Sequence, residues 1–345
     1  MQICLCINNG YTMPCGVLMY SICLTNPNTH ITFHILHDGV VAENRRLLAD
    51  IAEKAGNACS FYLIEPEQRA RLPSLSASLA AHWGVTTLYR LFISELLPVT
   101  VEKTLYLDCD MLCVDALDEL WNLDMQGYPV AATLDHHCDD VLYTNVFGEH
   151  YDMTKGFFNA GMLVINLTYW REKKSAQHVL NTLMTNIDHF RIPDQDALNL
   201  SFFEARKLVS FRFNCQVFDR VETLQVRKKF HADVIDGQMN PAVVHFVWAI
   251  KPWHKECRHP YKQLWREVKK KTVWHNQPET TMYKGWMRFL LIRFCKELSI
   301  LLIGRYNLSR LGVLQADKRL NEEAVQRVPL VSGRVFAQES STSKN

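Results

Sequence analysis

Two aspartates separated by one residue carry the clearest chemical signal in this chain. Asp108 and Asp110 follow the apolar residues 104–107, which are typical of a buried strand. Because side chains alternate along an extended chain, both carboxylates can face the same side. Two hard oxygen ligands at one point favour Mg²⁺ or Mn²⁺, ions that typically bridge to the phosphates of a substrate. The same spacing is also typical of two solvated residues at a strand end, so it needs support from elsewhere.

The elements that would position this pair alternate along the chain. Apolar runs or period-two patterns predict strands at residues 3–7, 31–35, 61–64, 104–107, 129–134 and 162–167, and helical patterns occur at residues 14–24, 43–55 and 87–97. This alternation predicts an α/β fold with a Rossmann-like, mostly parallel sheet flanked by helices. In such a fold the ligand lies beyond the carboxyl ends of the strands, which is where the aspartate pair is expected.

Composition excludes several classes of protein. The chain has 345 residues, 48% of them hydrophobic, and 38 Lys+Arg against 36 Asp+Glu give a formal net charge of +2. This balance is typical of a globular protein, and we expect no nucleic-acid partner. The first strand is followed by a segment with one glycine, Gly10, which argues against a dinucleotide-dependent oxidoreductase. Neither a P-loop motif nor a Gly-x-Ser-x-Gly elbow occurs.

Eleven cysteines are scattered mostly through apolar runs, which predicts reduced core residues in a cytosolic protein. Cys109 and Cys113 have no second close Cys/His pair at zinc-finger spacing, which argues against a structural zinc site. The first residues lack the basic and long apolar regions of a signal peptide, so we do not expect export. The chain contains no stretch of about 18 uncharged apolar residues, so the sequence predicts no membrane span.

Short motifs occur in a fixed order between residues 2 and 258. They are Gly10-Tyr11, His82 with Thr86-Thr87-Leu88-Tyr89-Arg90-Leu91, Leu105-Tyr106-Leu107-Asp108-Cys109-Asp110, Ala132-Thr133-Leu134-Asp135, Phe157-Phe158-Asn159-Ala160-Gly161, Asn166-Leu167 with Trp170-Arg171, Asp194-Gln195-Asp196, and His245-Phe246 with Lys251-Pro252-Trp253-His254. In this order they resemble glycosyltransferase family 8, which contains bacterial lipopolysaccharide α-galactosyl- and α-glucosyltransferases and glycogenin. The ordered set is far more specific than any one motif.

The resemblance implies a fold and an activity. The fold would be the GT-A type of nucleotide-diphospho-sugar transferases. The activity would be retaining transfer of galactose or glucose from UDP-galactose or UDP-glucose to a hydroxyl of a growing surface glycan, such as the lipopolysaccharide core. The partners would be the UDP-sugar donor and a glycan or lipid-linked saccharide acceptor.

The resemblance also implies a set of metal and diphosphate ligands. Asp108, Asp110 and His245 would hold Mn²⁺, or Mg²⁺, on the diphosphate of the donor, with His245 closing the site from a distant loop. Imidazole tolerates Mn²⁺ alongside carboxylates. Lys251 would neutralise charge on the leaving diphosphate. Without the resemblance, His245 would be interpreted as a hydrogen-bonded histidine after a strand, and Lys251 as an ordinary surface lysine.

Further residues take roles around the nucleotide sugar by the same resemblance. Arg90 and Asp135 would orient the donor sugar, and Asn159, Ala160 and Gly161 would form a tight turn against it. Asn8, Tyr11, His82 and Cys109 would complete the donor site, where the Asn8 amide can pair with a uracil edge. Asp194, Gln195 and Asp196 would lie beside the anomeric carbon. Without the motif, Arg90 would be read as a solvated helix residue and the Asp194–Asp196 triplet as an acidic helix start.

The residue types at 195 and 196 bear on the mechanism. Gln195 matches the position of the candidate nucleophile in the family, and an amide is a poor nucleophile. We therefore expect same-face attack, in which the leaving phosphate accepts the proton of the acceptor, rather than a covalent intermediate. Asp196 is the alternative nucleophile.

Two departures from the family pattern weaken the expected donor site. Asn8 and Asn9 replace acidic residues near the nucleotide. Trp248 stands where the His-x-x-Gly-x-x-Lys-Pro-Trp pattern has a glycine near the diphosphate, and an indole would crowd a backbone contact to phosphate unless the loop turns outward. The competing hypothesis is a non-catalytic nucleotide-sugar-binding or glycan scaffold protein.

The C-terminal residues differ from the rest. We predict a catalytic domain at 1–270, a basic amphipathic helical extension at 271–315 and a polar, disordered tail at 316–345. The extension interleaves aromatic and basic residues and is predicted to lie on an anionic membrane surface, although a helix packed on the domain fits the same pattern. The predicted location is cytoplasmic, peripheral on the cytoplasmic face of the inner membrane.

Overall fold

The computed structural model describes residues 1–74, 84–137, 152–218, 221, 224 and 226–282. Within these residues the chain forms two compact units, of which the first is Met1–His245 and the second begins at Phe246. His82 and everything beyond residue 282 lie outside the described residues, so the predicted extension at 271–315 is described only at its start and the predicted tail not at all. The predicted domain boundaries stay a prediction.

A seven-stranded sheet forms the centre of the first unit, in the order β3-β2-β1-β4-β7-β6-β8. Its strands are β1 (Gln2–Ile7), β2 (Thr32–His37), β3 (Ala58–Leu63), β4 (Lys103–Leu107), β6 (Val130–Leu134), β7 (Phe158–Asn166) and β8 (Arg206–Val209). A second, two-stranded sheet pairs β5 (Met111–Cys113) with β9 (Val243–His245). The strands predicted from periodicity all lie within or overlap these segments.

Most neighbouring strands are parallel, as predicted. The pairs β1 with β2, β2 with β3, β1 with β4 and β6 with β8 are parallel, and only β7 is antiparallel to both of its neighbours, β4 and β6. Strands such as β1 and β6 are almost continuously buried, which is typical of a sheet covered on both faces. Because β7 runs in the opposite direction, its first residues lie at the edge where the other strands end.

The helices of the described chain follow the predicted alternation. They are α1 (Thr12–Thr25), α2 (Ala42–Lys54), α3 (Pro66–Ala70), α4 (Ile93–Leu96), α5 (Asp118–Trp121), α6 (Leu167–Glu172), α7 (Ser175–Asn186), α8 (Pro193–Ser201), α9 (His231–Met239) and α10 (Lys262–Lys270). The segment predicted as a helix at 87–97 begins as a 3-10 helix, Val85–Phe92, before it continues into α4. Pro193 opens α8 at a position where proline loses no helical hydrogen bond.

The described cysteines and helices bear on two further predictions. All nine described cysteines are free, and seven of them are buried, as expected for reduced core residues. No helix among the described residues is long and apolar enough to cross a membrane.

The second unit is described from Phe246 to residue 282. Trp253 packs against Trp265 of α10 with ring centroids 5.8 Å apart. Glu279 lies 3.0 Å from Arg266 and 3.4 Å from Lys262, so it ties the chain after α10 back to that helix.

Candidate active site

Polar side chains gather at one edge of the large sheet. Asp108 follows β4, Asp135 follows β6, and Asn159 is the second residue of the antiparallel β7. Since β7 starts where the other strands end, these residues come from neighbouring strands at the same edge. This is the edge at which the strand pattern predicted a ligand.

Asp108, Asp110 and His245 form a compact set of potential metal ligands. Strand β5 begins directly after Asp110 and pairs with β9, where Met111 lies opposite His245. His245 Nε2 lies 3.2 Å from Asp110 Oδ1 and 4.0 Å from Asp108 Oδ2, and one ligand atom from each residue falls within 4.8 Å of the others. The small sheet therefore brings together residues more than 130 positions apart, and His245 ends a strand rather than lying in the predicted loop.

Gly161 makes room for the imidazole of His245. A Cβ atom at position 161 would lie 2.5 Å from His245 Cε1 and 2.9 Å from His245 Nδ1. Real Cβ atoms do not approach other heavy atoms so closely, so a larger residue would push the ring aside. Residues 159–161 thus lie in strand β7 and do not form the predicted tight turn, and Gly161 permits a close approach by a protein side chain.

Arg90 is buried between two carboxylates. Its Nη2 lies 2.9 Å from Asp108 Oδ1, and its Nε lies 3.2 Å from Asp194 Oδ2. Nη1 donates to the carbonyl of Ala160 at 2.5 Å, and the guanidinium lies 4.4 Å from the centre of the Tyr106 ring. Burial lowers the pKa of Arg90, but the charges of Asp108 and Asp194 outweigh this effect and raise it overall. Arg90 is therefore a fixed cation inside the site and not a solvated helix residue.

Asp108 is held from the protein side by one of its oxygens. Oδ1 accepts hydrogen bonds from Arg90 and, at 2.5 Å, from the hydroxyl of Tyr106. Burial raises the pKa of Tyr106 far above its usual value, so the phenol keeps its proton and remains a donor. This arrangement directs the other oxygen, Oδ2, toward His245.

A second cluster surrounds Asp135. Its Oδ2 accepts from Asn159 Nδ2 at 2.9 Å and from Gln195 Nε2 at 3.1 Å, while Oδ1 accepts the backbone N–H of His137 at 2.8 Å. Gln195 is held at its other end too, because its Oε1 accepts the N–H of Ala160 at 2.9 Å. The predicted sugar-orienting residues thus share one hydrogen-bond network.

The two aspartates of the 194–196 triplet point to different surroundings. Asp194 joins Arg90, and although burial raises its pKa, the arginine opposes the shift. Asp196 is 0% exposed, and its Oδ2 accepts the backbone N–H groups of Arg191 and Ile192 at 2.7 and 3.0 Å. Burial raises the pKa of Asp196 to about 7. Asp196 therefore stabilises the turn that opens α8, as the acidic helix-start alternative anticipates.

The described residues predicted at the nucleotide end make contacts within the first unit, and His82 lies outside the described residues. Asn8 accepts the N–H of Tyr11 at 3.2 Å and donates to Thr86 at 3.5 Å. Partial burial and then the charge of Asp110 raise the pKa of the Tyr11 phenol. The thiol of Cys109 is turned inward, 3.8 Å from the carbonyl of Cys6.

Lys251 and Trp248 belong to the second unit. Lys251 donates from Nζ to the carbonyl of Phe246 at 2.8 Å. Trp248 has φ 72°, the left-handed backbone conformation that favours glycine, and its side chain is 62% exposed. The backbone at this position therefore keeps a conformation suited to the glycine of the family pattern, even though the residue is tryptophan.

Comparison with known proteins decides the family. Residues 2–257 match the sequence model of the family described as glycosyl transferase family 8. The chain belongs to this family. Its fold matches the galactosyltransferase LgtC, solved in complex with donor and acceptor sugar analogs, with a TM-score of 0.71 and 26% identity over 80% of this chain and 99% of that one. The predicted GT-A fold is thereby confirmed.

Sequence relatives of this family 8 chain include a lipopolysaccharide glucosyltransferase and a lipopolysaccharide galactosyltransferase. A lipopolysaccharide 1,2-glucosyltransferase of Escherichia coli is 26% identical over 276 residues, 79% of this chain and 78% of the relative. A lipopolysaccharide 1,3-galactosyltransferase of Salmonella typhimurium is 25% identical over 279 residues, 78% of this chain and 77% of the relative. The family membership makes the protein a glycosyltransferase.

Three site residues of this glycosyltransferase were not predicted from the sequence. Tyr106 was part of a motif without a role, and Asn214 and Gln216 were not singled out. Gln216 donates to the carbonyl of Leu134 and accepts the N–H of His136, so it anchors the chain next to Asp135. Asn214 and Gln216 alternate with the apolar Phe213 and Cys215. This pattern indicates buried amides, which need hydrogen-bond partners inside the protein.

Proposed function

We propose that the protein is a metal-dependent, retaining hexosyltransferase. It transfers galactose or glucose from a UDP-sugar to a hydroxyl of the lipopolysaccharide core or a related bacterial surface glycan. The observation that carries the proposal is the convergence of Asp108, Asp110 and His245 beside the buried network of Arg90 and Asp135. The names of the relatives support both the glycan and the choice of hexoses.

The ligand set fits a divalent cation. Ligands about 2.1 Å from one ion lie at most about 4.2 Å apart, and both distances from His245 Nε2 meet this limit. Two carboxylates favour Mg²⁺ or Mn²⁺, and the added imidazole favours Mn²⁺. Held by Asp108, Asp110 and His245, the ion would neutralise charge on the diphosphate of the donor.

The remaining residues orient the sugar. Asp135 is an acceptor for sugar hydroxyls, and the amides of Asn159 and Gln195 fix its carboxylate in one orientation. Arg90 holds Asp108 and Asp194 at fixed positions, so no reorganisation is needed when the donor binds. By the family resemblance, Lys251, Asn8, Tyr11, His82 and Cys109 would complete the donor site.

Same-face attack is the proposed route to retention. Both ends of the Gln195 amide are engaged by protein groups, which suits a role in orienting the sugar and not in attacking it. The buried carboxylate of Asp196 binds backbone N–H groups, so it is poorly suited to act as a nucleophile. The leaving phosphate would accept the proton of the acceptor hydroxyl. Recovery of a sugar covalently attached to Asp196, formed as fast as turnover, would contradict this route.

The deciding experiment measures donor binding and UDP release. UDP-glucose and UDP-galactose are each tested with and without Mn²⁺, for the native protein, for Asp110→Asn and for the control Asp188→Asn, which changes an exposed aspartate. We expect metal-dependent UDP release with one donor, a loss of about 100-fold or more in Asp110→Asn, and no change in the control. Absence of binding to both donors would contradict the proposal.

The same experiment separates the competing hypothesis of a non-catalytic binding or scaffold protein. That protein would bind a UDP-sugar but release no UDP when lipopolysaccharide core acceptors are supplied. The family glycine replaced by Trp248 is the reason to test it.

We also propose peripheral attachment to the cytoplasmic face of the inner membrane. Its support is the sequence alone, namely the basic and aromatic residues after residue 271. A chain truncated after His275 should lose binding to anionic vesicles, and unchanged binding would contradict the proposal.

A further inference from the structure

A continuous line of buried hydrogen bonds joins Asp135 to His245. Asp135 Oδ2 accepts from Asn159 Nδ2 at 2.9 Å, Asn159 Oδ1 accepts from Asn214 Nδ2 at 2.9 Å, and Asn214 Oδ1 lies 2.8 Å from His245 Nδ1. Asn214 is 0% exposed. Two amides therefore connect the sugar-orienting carboxylate to the imidazole of the metal-ligand set.

The direction of every bond in this line follows from its first member. An ionised carboxylate can only accept, so Asn159 must turn its NH₂ group to Asp135 and its oxygen to Asn214. Asn214 must then turn its own NH₂ group to Asn159 and its oxygen to His245. An amide oxygen can only accept, so His245 Nδ1 must carry a proton.

A backbone group fixes the same orientation independently. The N–H of Gly161, which can only donate, donates to Asn159 Oδ1 at 2.9 Å. Asn159 therefore cannot be turned around without placing its NH₂ group against another donor. The orientation of both asparagines is thus set from two sides.

The backbone also fixes where Asn214 stands. The N–H of Cys215 donates to the carbonyl of Val243 at 2.8 Å, and the N–H of His245 donates to the carbonyl of Cys215 at 2.9 Å. Asn214 ends the 3-10 helix Phe211–Asn214, at whose start Asp233 accepts the N–H of Phe211 and Ser210 Oγ accepts the N–H of Arg212. The amide is therefore held beside the imidazole by main-chain pairing, not only by its own side chain.

The other ring nitrogen explains why the position of the proton matters. Nε2 faces the carboxylates of Asp108 and Asp110, and both would attract the proton of a neutral imidazole to Nε2. A protonated Nε2 cannot bind a cation. Something must therefore keep the proton on Nδ1 if His245 is to act as a ligand.

We propose that Asn214 is a positioning residue that holds the proton of His245 on Nδ1 and so keeps Nε2 available to a divalent cation. The inference rests on the proposed function only in assigning a cation to this site. Asn214 would not bind the cation itself. It would hydrogen-bond to a metal ligand, as the residues that orient metal-bound histidines do in other proteins. The same line of amides ties the imidazole to Asp135, so the metal and sugar halves of the site are built as one unit.

The first test locates the proton directly, without metal or substrate. Nitrogen NMR of ¹⁵N-histidine-labelled full-length protein, recorded over a series of pH values, reports which ring nitrogens of His245 carry a proton. His245→Gln assigns the signal. We expect a protonated Nδ1 in the native protein, loss of that proton in Asn214→Leu, and its retention in Asn214→Asp, which keeps an oxygen opposite Nδ1.

The second test measures the affinity for Mn²⁺ alone by titration calorimetry. We expect Asn214→Leu to bind Mn²⁺ about 10- to 100-fold more weakly. The control Asn26→Leu removes another buried amide, one whose partners are Ile22, Thr25 and Leu117, and should leave the affinity within about twofold.

A bare Nδ1 in the native protein would overturn the inference, whatever the variants do. So would a folded Asn214→Leu with unchanged proton position and Mn²⁺ affinity. If Asn214→Leu does not fold, the native spectrum and Asn214→Asp decide. Absence of donor turnover would contradict the proposed function but leave the NMR result intact, so the two failures can be told apart.

Discussion

The two halves of the central sheet bury different kinds of side chain. The described strands β1, β2 and β3 themselves bury mostly apolar side chains, with His34 and His37 as their buried polar residues. Around β4, β6 and β7 the described interior holds one arginine and several carboxylates and amides. They are Arg90, Asp135, Asn159, Asp194, Gln195, Asp196, Asn199, Asn214 and Gln216.

This difference separates stability from preorganisation. Buried polar groups are costly unless they are paired, and even a well-paired buried ion pair often contributes little net stability. In the second half, burial of these polar groups reduces the net stability, but their mutual hydrogen bonds hold the carboxylates and an imidazole in single orientations. We therefore expect substitutions in the second half to affect binding and folding together, and those in the first half to affect folding alone.

The largest effect is expected from Arg90→Met. This change leaves Asp108 and Asp194 without their buried cation, and removing one partner of a buried pair typically destabilises a protein by about 3–5 kcal/mol. Urea denaturation measures the loss. Donor turnover should fall with it, because Asp108 loses the partner of its Oδ1.

Arg71→Met provides the matched control on the surface. Arg71 pairs with Glu95 at 2.6 Å, but both side chains are partly exposed, and such pairs contribute less than about 1 kcal/mol. Equal losses for Arg90→Met and Arg71→Met would remove the distinction between a buried site cation and a surface ion pair.

The next effect concerns the pH dependence of stability through Asp196. Burial raises its pKa from an ordinary 3.8 to about 7, so between these pH values the folded protein binds a proton that the unfolded chain does not. Stability therefore falls as pH rises from about 4 to about 7, by up to about 4 kcal/mol. The measurement is the difference between the native protein and Asp196→Asn in urea at a series of pH values.

That difference should be smallest near pH 4 and should increasingly favour Asp196→Asn toward pH 7, because the asparagine oxygen still accepts from the turn before α8 but carries no charge. A difference independent of pH would mean that Asp196 is ionised in the folded protein throughout this range. It would then be a better candidate for the nucleophile.

Gly161→Ala tests the packing around the metal-ligand set. The added methyl group would meet the imidazole of His245 at 2.5 Å, so the ring must move away from Asp108 and Asp110. We expect the affinity for Mn²⁺ to fall about 10- to 100-fold, as for loss of an orienting partner, with a folded protein. In the control Gly10→Ala the new carbon approaches nothing closer than 3.4 Å, at Asn8 Oδ1, and the affinity should stay within about twofold. Similar losses in both variants would show that His245 does not depend on this space.

The same contrast explains what the sequence could predict. The elements of the first half follow from hydrophobic periodicity, because continuous apolar strands alternate with helices such as α2, which buries only Leu48, Ile51 and Ala52. The positions of Asp108 and Asp135 also follow, since each comes directly after a predicted strand. The pairing of β5 with β9 and the line from Asp135 through Asn214 could not be predicted, because both depend on contacts between residues distant in sequence.

The burial of Arg90 could not be predicted from the sequence either. Without the family motif, the sequence indicates a solvated arginine on a helix. Its partners Asp108 and Asp194 come from two other elements, and only tertiary packing brings them within reach. Asp196 shows the opposite case, because its place at the start of α8 was visible in the acidic triplet while its isolation from the Asp135 network was not.

The smallest effect is expected in the first half, where His34 gives a pH dependence of opposite sign. Burial lowers the pKa of His34 to about 4, so between pH 4 and 6.5 the unfolded chain binds a proton that the folded protein does not. Stability due to His34 therefore rises with pH across this range, by about 1–2 kcal/mol once solvent access is allowed for. In His34→Gln this rise should disappear, while the polar side chain can still meet Gln2 and Tyr62, the present partners of the two ring nitrogens. Urea denaturation at pH 4.5 and 6.5 gives the comparison, and the affinity for Mn²⁺ should not change. A loss of Mn²⁺ binding in His34→Gln would mean that the two halves of the sheet are energetically coupled and that the polar network is not confined to the half that contains the candidate site.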